Sequence, residues 1–257
     1  MPYCIPSLQI LECFGFAKGK EVSIEFLTSA NELMNCRIRP VLITPDNKVA
    51  FRPDSLSFGN KNMKLLFTDS YFPQDKIYYI LYNKCLSKEV MLSYGNKEQA
   101  ETLPSFEEFG QKVLGVLNKE PIDKIIFDLR NNGGGSSAQG TALIERIAAF
   151  LKENPRTKTY VVIGRNTFSS AILNAMDFKR LTNAVFVGEE TAGKPNHFGE
   201  VRAFTLPSSK LQVNYSTNYF KNVEEDVNTL APDVLLEASF ADFSKGIDPV
   251  YEWVKKQ

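Results

Sequence analysis

The chain has little histidine and little cysteine, and both scarcities limit its chemistry. His197 is the only histidine, so a zinc site built on two histidines is excluded. The four cysteines, Cys4, Cys13, Cys36 and Cys85, contain no Cys-x-x-Cys pair and all lie in the first third of the chain. We therefore expect reduced thiols in the core, without a disulfide framework and without a metal site.

The chain also lacks a net charge and long apolar segments. Thirty basic and thirty acidic residues cancel, so no overall field attracts nucleic acid or anionic lipid. No stretch approaches 18 consecutive apolar residues, and the sequence predicts no membrane span. The N-terminus has no basic segment followed by an apolar run, so we expect no signal peptide there.

Two regions of different character follow one another along the 257 residues. Residues 1–70 contain segments that alternate apolar and polar residues with the period of strands, at 21–26 and 36–41. Residues 71–257 begin with an aromatic strand candidate at 76–82 and then alternate helices with strands. We expect a β-rich accessory region followed by a larger α/β core.

The larger region predicts a mixed α/β (α+β) fold with a largely parallel sheet. Buried strand candidates at 124–129, 159–163 and 184–187 alternate with predicted helices at 138–152 and after Ser170. This alternation favours right-handed crossovers between parallel strands. Functional groups in such sheets gather at the carboxyl ends of the strands, so we expect the three following loops to meet at one edge.

The loop after the strand candidate 159–163 carries two adjacent serines, Ser169 and Ser170, at a strand-to-helix turn. Ser170 is predicted in the first helical turn, where unpaired N–H groups favour the negative charge that develops after hydroxyl attack on a carbonyl. The N–H group of Ala171 can donate to that oxyanion. Alternatively, either serine simply caps the helix, which contributes ~1 kcal/mol.

A second loop is rich in glycine. Its residues Gly133, Gly134 and Gly135 allow close approach of the backbone to a ligand and a positive φ. Their N–H groups can supply another oxyanion donor. An ordinary tight turn is the alternative, and the spacing Gly133-x-Gly135-x-x-Ala138 also fits a dinucleotide loop. Its position in mid-chain, without a further dinucleotide signature, disfavours that interpretation.

A third loop places Lys194 after the strand candidate 184–187, at 24 positions from Ser170. A lysine acts as a general base only when neutral, and burial among apolar neighbours favours the neutral amine. Solvated surface lysine is the alternative. Gly188-x-x-x-x-Gly193-Lys194 also matches the start of a phosphate loop, but Pro195 replaces the Ser or Thr that would hold magnesium.

A serine triad built on His197 is disfavoured. Neither Ser169 nor Ser170 stands in a Gly-x-Ser-x-Gly nucleophile elbow. We expect His197 to shape the lysine loop or to contact substrate. A Ser-Lys pair remains, in which the lysine activates the serine without histidine.

Together, the loops resemble those of the C-terminal processing, or tail-specific, serine peptidases. Residues 128–135 read Asp-Leu-Arg-Asn-Asn-Gly-Gly-Gly, which fits the Asp-Leu-Arg-x-Asn-x-Gly-Gly loop of that family. Ser170-Ala171 matches its Ser-Ala pair at a helix start, and residues 187–194 match its Val-Gly-Glu-x-Thr-x-Gly-Lys loop. Pro232-Asp233 matches a late Pro-Asp pair, so the resemblance covers roughly residues 75 to 240.

The resemblance implies a serine endopeptidase that acts on protein or peptide substrates and needs no metal or cofactor. Ser170 would be the nucleophile and Lys194 the general base. The N–H groups of Gly134 and Ala171 would form the oxyanion hole. The fold implied is a crotonase-like peptidase core of ββα repeats, over residues 71–257, with the smaller β-rich region in front.

The chain departs from the family at two supporting positions. Leu173 stands where members often have Glu, and Phe198 stands where processing peptidases often have Gln beside the lysine. His197 or Thr191 would then be the partner of the lysine. The sequence around the serines, Thr-Phe-Ser-Ser-Ala, also resembles that of the branch containing interphotoreceptor retinoid-binding proteins and tricorn core domains. Because the Glu and Gln partners and a PDZ signature are all missing, a catalytically silent module that binds a peptide or hydrophobic ligand is the alternative function.

Overall fold

A computed structural model of the chain describes residues 8–17, 19, 21–28, 30–39, 41, 44, 46 and 51–257. It divides the chain into two compact units, Met1–Arg52 and Pro53–Gln257. The described part of the first unit contains helix α1 (Leu8–Cys13) and an antiparallel hairpin of β1 (Val22–Leu27) and β2 (Leu33–Ile38). A domain boundary near residue 70 stays a prediction.

A six-stranded sheet organises the second unit. Its strands are β3 (Phe67–Phe72), β4 (Ile77–Tyr82), β5 (Lys124–Asp128), β6 (Lys158–Ile163), β7 (Val185–Gly188) and β10 (Val234–Leu235), in the order β10-β7-β6-β5-β4-β3. All neighbours are parallel except β3 and β4. A separate hairpin consists of β8 (His197–Thr205) and β9 (Gln212–Phe220). The mixed α/β class with a mostly parallel sheet is thus confirmed, whereas the crotonase-like repeat stays a prediction.

Eight helices accompany these strands in the second unit. They are α2 (Phe58–Lys61), α3 (Lys88–Ser93), α4 (Lys97–Glu101), α5 (Phe106–Lys119), α6 (Ser137–Glu153), α7 (Ser170–Leu181), α8 (Phe240–Lys245) and α9 (Pro249–Lys255). Local sequence fixes their starts. The Ser105 hydroxyl caps α5 by accepting the N–H of Glu108, and Asp248 caps α9 ahead of the proline at its first position.

Apolar side chains alternate between the two faces of the sheet, as the period of a strand requires. In β4, Tyr78, Ile80 and Tyr82 join the core that contains residues of α5, α6 and α7. Ile77, Tyr79 and Leu81 face the other way and pack in the cluster that contains Val250 and Val254 of α9. Because both faces of β4 to β7 are covered, the ends of these strands are the places open to a ligand.

The expectation of buried thiols is correct only for Cys85. Burial raises the pKa of the Cys85 thiol to about 11. Cys13 and Cys36 are free but exposed, so the prediction was wrong for both. Cys13 ends a six-residue helix and Cys36 lies in a two-stranded hairpin whose residues are mostly exposed, so neither element offers a core. Cys4 lies outside the described residues. Within the described ranges, no helix has the length and apolar character to cross a membrane.

A buried ionic cluster anchors the end of β5. Asp128 is fully buried, and the guanidinium of Arg130 contacts it at 2.9 Å and Asp248 at 2.8 Å. The Tyr79 hydroxyl donates to Asp128 over 2.6 Å. Burial by itself would lower the pKa of Arg130, but the two carboxylates raise it well above its ordinary value. The cluster thereby ties β5 to the start of α9.

Replacing Arg130 with methionine is expected to destabilise the protein by roughly 3 kcal/mol, because two buried carboxylates lose their cation. Urea denaturation measures this free energy of unfolding. The matched control is Arg165→Met, which removes exposed ion pairs to Glu189 and Glu237 and should cost no more than about 1 kcal/mol. Equal losses in the two variants would contradict a stabilising role for the buried cluster.

Candidate active site

The register of the sheet brings the ends of three parallel strands to one level. Asp128 of β5 pairs with Val162 of β6, and Val162 pairs with Val187 of β7. The glycine, serine and lysine loops begin within a few residues of these positions. Each loop therefore leaves the same carboxyl edge of the sheet, as the alternation of elements predicted.

The glycine loop is held by the side chain of Asn132, which is completely buried. Its amide nitrogen donates to the carbonyl of Tyr82 and its amide oxygen accepts the N–H of Gly134, both at 2.9 Å. Gly135 has a φ of +136°, and a Cβ at this position would come within 2.1 Å of the Cys85 carbonyl oxygen. The loop conformation therefore requires glycine at residue 135.

The serine turn is tied to the glycine loop by backbone and hydroxyl contacts. The Thr167 hydroxyl donates to the carbonyl of Leu129 at 2.9 Å and accepts the N–H of Gly164 at 3.0 Å. One residue further, the N–H of Phe168 donates to the carbonyl of Asn132 over 3.0 Å. These bonds fix the position of the chain immediately before Ser169.

The two serines differ in backbone and side-chain environment. Ser169 is the N-cap of α7 with φ 53° and ψ −124°, and its partly exposed side chain makes no capping hydrogen bond. Ser170 is the first residue of α7, as predicted, and is buried. Its hydroxyl donates to the carbonyl of Gly135 over 2.7 Å.

Both other loops contact the serine turn. A Cβ at Gly134 would stand 2.9 Å from the Cβ of Ser169 and 3.2 Å from the nitrogen of Ser170. A Cβ at Gly193 would stand 2.7 Å from the ring of Phe168. The residue before Lys194 thus packs on the residue before Ser169. Glycine at 134 and 193 is what allows the three loops to meet.

The two N–H groups expected to form an oxyanion hole are engaged within the protein. That of Gly134 donates to Asn132, and that of Ala171 donates to the carbonyl of Phe168 at 3.1 Å. The N–H of Ser170, by contrast, has no hydrogen-bond partner in the part of the chain that the structure describes. The N–H groups of Gly133, Gly135 and Ser169 likewise have no partner among the described residues, so the two loops offer several free backbone donors.

Lys194 is partly exposed, and its ammonium pairs with the carboxylate of Asp226 at 3.0 Å. No hydrogen bond joins Lys194 to Ser170, although both lie in described segments. The side chains of the pair are 43% and 62% exposed. A solvent-exposed ion pair contributes at most about 1 kcal/mol to stability, so a competing hydrogen-bond partner can replace Asp226.

The suggested helpers of the lysine contact the backbone of its loop. The Thr191 hydroxyl donates to the carbonyl of Gly193 at 2.8 Å and accepts the N–H of Leu230 at 2.9 Å. The Nδ1 atom of His197 lies 3.1 Å from the carbonyl oxygens of Lys194 and Pro195. Both residues therefore shape the loop and leave the ammonium to Asp226.

Sequence reasoning missed two polar residues at this site. Asn132 stands inside the Asp-Leu-Arg loop, and an Asx residue before glycines was an available signal for a side chain that holds a turn. Asp226 had no local signal, because it lies 32 positions from Lys194. Among the described residues, no group of three or more His, Cys, Asp or Glu could hold a metal ion.

Comparison with solved structures relates this fold to peptidases. A protein from Parabacteroides merdae that has been inferred to be a peptidase is 17% identical, with a TM-score of 0.50, over 74% of this chain and 63% of its own. Mature CPAF in complex with lactacystin is 13% identical, with a TM-score of 0.51, over 93% of this chain and 68% of its own. The photosystem II D1 C-terminal processing protease is 15% identical, with a TM-score of 0.43, over 89% and 60%.

The first two of these similarities establish a peptidase-like fold. The chain spans about two thirds of the length of these structures. No protein-family profile and no curated protein matches it by sequence. The fold is therefore shared with peptidases, while residue roles have to be argued from the site itself.

Gly134→Ala tests the contact between the glycine loop and the serine turn. The positive φ of +99° and the short approach to Ser169 predict a loss of at least about 2 kcal/mol in unfolding free energy. Gly133→Ala is the matched control, since a Cβ there meets nothing within 4 Å. Urea denaturation of both variants measures the difference. Equal stability of the two would show that the loops do not meet as described.

Proposed function

We propose that the protein is a serine endopeptidase, with its nucleophile at the start of α7 and Lys194 as the general base. The observation that carries the proposal is the packing of Gly134 against Ser169 and of Gly193 against Phe168, the residue before the two serines. This packing brings a serine hydroxyl, a lysine loop and a flexible glycine backbone to one edge of the sheet. Acyl transfer needs these three components.

The proposed reaction is peptide-bond hydrolysis through an acyl-enzyme. The serine oxygen attacks the scissile carbonyl carbon, and the hydroxyl proton passes to the neutral amine of Lys194. Collapse of the tetrahedral intermediate breaks the C–N bond, and the lysine returns the proton to the leaving amine. Water then attacks the ester carbonyl and loses a proton to the lysine. Cleavage of the ester C–O bond releases the carboxylic acid, and the lysine returns the proton to the serine oxygen.

The serine of this reaction is one of an adjacent pair. The sequence assigns the role to Ser170, with the N–H groups of Gly134 and Ala171 as oxyanion donors. In the structure these N–H groups and the Ser170 hydroxyl all have partners inside the protein. Catalysis by this set therefore requires the substrate to replace internal hydrogen bonds.

The lysine has to exchange its partner before it can act. In the structure its amine pairs with the carboxylate of Asp226 at 3.0 Å and not with a serine hydroxyl. Because the pair is exposed and weak, a peptide that binds next to Gly193 can compete with Asp226 for the lysine. Protein or peptide chains are the proposed substrates, and selection by a C-terminal tail belongs to the same proposal.

A catalytically silent binding module is the second candidate. The observation that favours it is the engagement of Lys194 by Asp226, since a lysine retained only for loop structure needs no free amine. Such a module would bind an unfolded protein or peptide without cleaving it. Hydrolysis assays therefore separate the two candidates.

Removal of both serine hydroxyls, in the double variant Ser169→Ala with Ser170→Ala, should abolish hydrolysis of an unfolded protein such as reduced casein. Lys194→Met should lower kcat/KM by at least about 10³-fold, because removal of one member of a catalytic pair costs nearly as much activity as removal of both. Lys221→Met is the control, since this lysine pairs with Glu224 on the surface. Turnover that survives in the double serine variant would eliminate the proposal.

Asp226→Asn should raise kcat/KM by up to about fivefold, the factor that corresponds to an exposed ion pair of about 1 kcal/mol. The substitution removes the carboxylate that pairs with the Lys194 amine at 3.0 Å, so the lysine can turn to the serine without giving up this partner. Glu224→Gln removes an exposed carboxylate that pairs with Lys221 and should leave kcat/KM unchanged. A kcat/KM that falls in Asp226→Asn would argue against Lys194 as the base that this pair holds away from the serine.

A further inference from the structure

We infer that Ser169 supplies the attacking hydroxyl, and that Ser170 acts as a positioning residue which holds the glycine loop and offers its N–H to the oxyanion. The inference rests on the proposed peptidase function and identifies which of the two adjacent serines reacts. It differs from the assignment of Ser170 made from the sequence.

The backbone of Ser169 is the first argument. Its φ of 53° with ψ of −124° lies in a region that residues other than glycine rarely adopt. Such a conformation costs conformational free energy and persists only where the surrounding structure enforces it. In hydrolases that use a nucleophile elbow, a strained strand-to-helix turn exposes the serine hydroxyl above the sheet. The Gly-x-Ser-x-Gly pattern is absent here, but the bonds of Thr167 and Phe168 enforce an equivalent turn.

The availability of the two hydroxyls is the second argument. The Ser170 hydroxyl is buried with its residue and already donates to the Gly135 carbonyl at 2.7 Å. To attack a substrate it would have to break this bond and leave the glycine loop. The Ser169 hydroxyl is partly exposed and has no hydrogen-bond partner within the described residues. An N-cap serine without a capping bond is free for another role.

The surroundings of Ser169 are the third argument. The backbone of Gly134 packs directly on the serine turn, because a Cβ there would stand only 2.9 Å from the Ser169 Cβ and 3.2 Å from the Ser170 nitrogen. The N–H of Ser170 is unpaired within the described part of the chain. It belongs to the residue after the proposed nucleophile, which is the position that supplies an oxyanion donor in elbow-type hydrolases.

The step can be followed with a fluorophosphonate, which mimics the acylation of serine. The Ser169 oxygen attacks phosphorus, the new O–P bond forms as the P–F bond breaks, and fluoride leaves. The hydroxyl proton passes to the neutral amine of Lys194. The adduct stays on the serine that attacked, so its position identifies the nucleophile directly.

The decisive measurement is tandem mass spectrometry of the unmodified protein after reaction with a fluorophosphonate probe. Fragmentation between residues 169 and 170 distinguishes an adduct on either serine. We expect the adduct on Ser169. An adduct on Ser170 would overturn the inference while leaving the proposed serine peptidase intact.

Kinetics of single variants give an independent test. Ser169→Ala should lose labelling and at least about 10³-fold in kcat/KM. Ser170→Ala should keep the label on Ser169 and lose only about 10-fold in kcat with KM unchanged, since one loop hydrogen bond is removed. Ser170→Thr, which retains a hydroxyl donor, should restore part of that loss. Greater damage from Ser170→Ala than from Ser169→Ala would contradict the inference.

Failure of the proposed function is distinguishable from failure of this inference. If the folded, unmodified protein is neither labelled nor active on casein, the peptidase proposal falls and the inference falls with it. Circular dichroism and thermal denaturation of each variant establish that it is folded before its kinetics are interpreted. Loss of fold in Ser169→Ala leaves the position of the adduct in the unmodified protein as the deciding result.

Discussion

The hydrogen bonds of Asn132 are the constraint on which the candidate site depends. Its buried amide bonds the end of β4 through Tyr82 and the glycine loop through Gly134, while its own carbonyl accepts the N–H of Phe168. One residue thereby joins a strand, the glycine loop and the serine turn. Loss of such a buried amide would leave several polar groups without partners, each at a cost of about 1–3 kcal/mol.

The strain at the site is balanced by the scaffold around it. Ser169 and Gly135 have positive φ values that are held by surrounding hydrogen bonds and by contact with Cys85. At the end of β5, Arg130 pairs with Asp128 and with Asp248 and so holds this strand against the start of α9. A fold anchored from both sides can keep a reactive loop in a conformation that it would not adopt alone.

Sequence patterns predicted the large features of this arrangement because they depend on local chemistry. Apolar runs predicted β5, β6 and β7, and three successive glycines predicted the loop before α6. The partners of Ser170 and Lys194 could not be predicted in the same way. The carbonyl of Gly135 and the carboxylate of Asp226 reach them only through tertiary structure. The backbone conformation of Ser169 likewise follows from contacts with distant loops.

The central claim is that a serine at the start of α7 forms a covalent acyl-enzyme. Active-site titration with a p-nitrophenyl ester tests it most directly, by the size of the initial burst of nitrophenol and the mass of the quenched protein. The account predicts a burst close to one equivalent of protein and a mass gain of one acyl group at the α7 N-terminus. A folded protein that shows neither burst nor mass gain would contradict it.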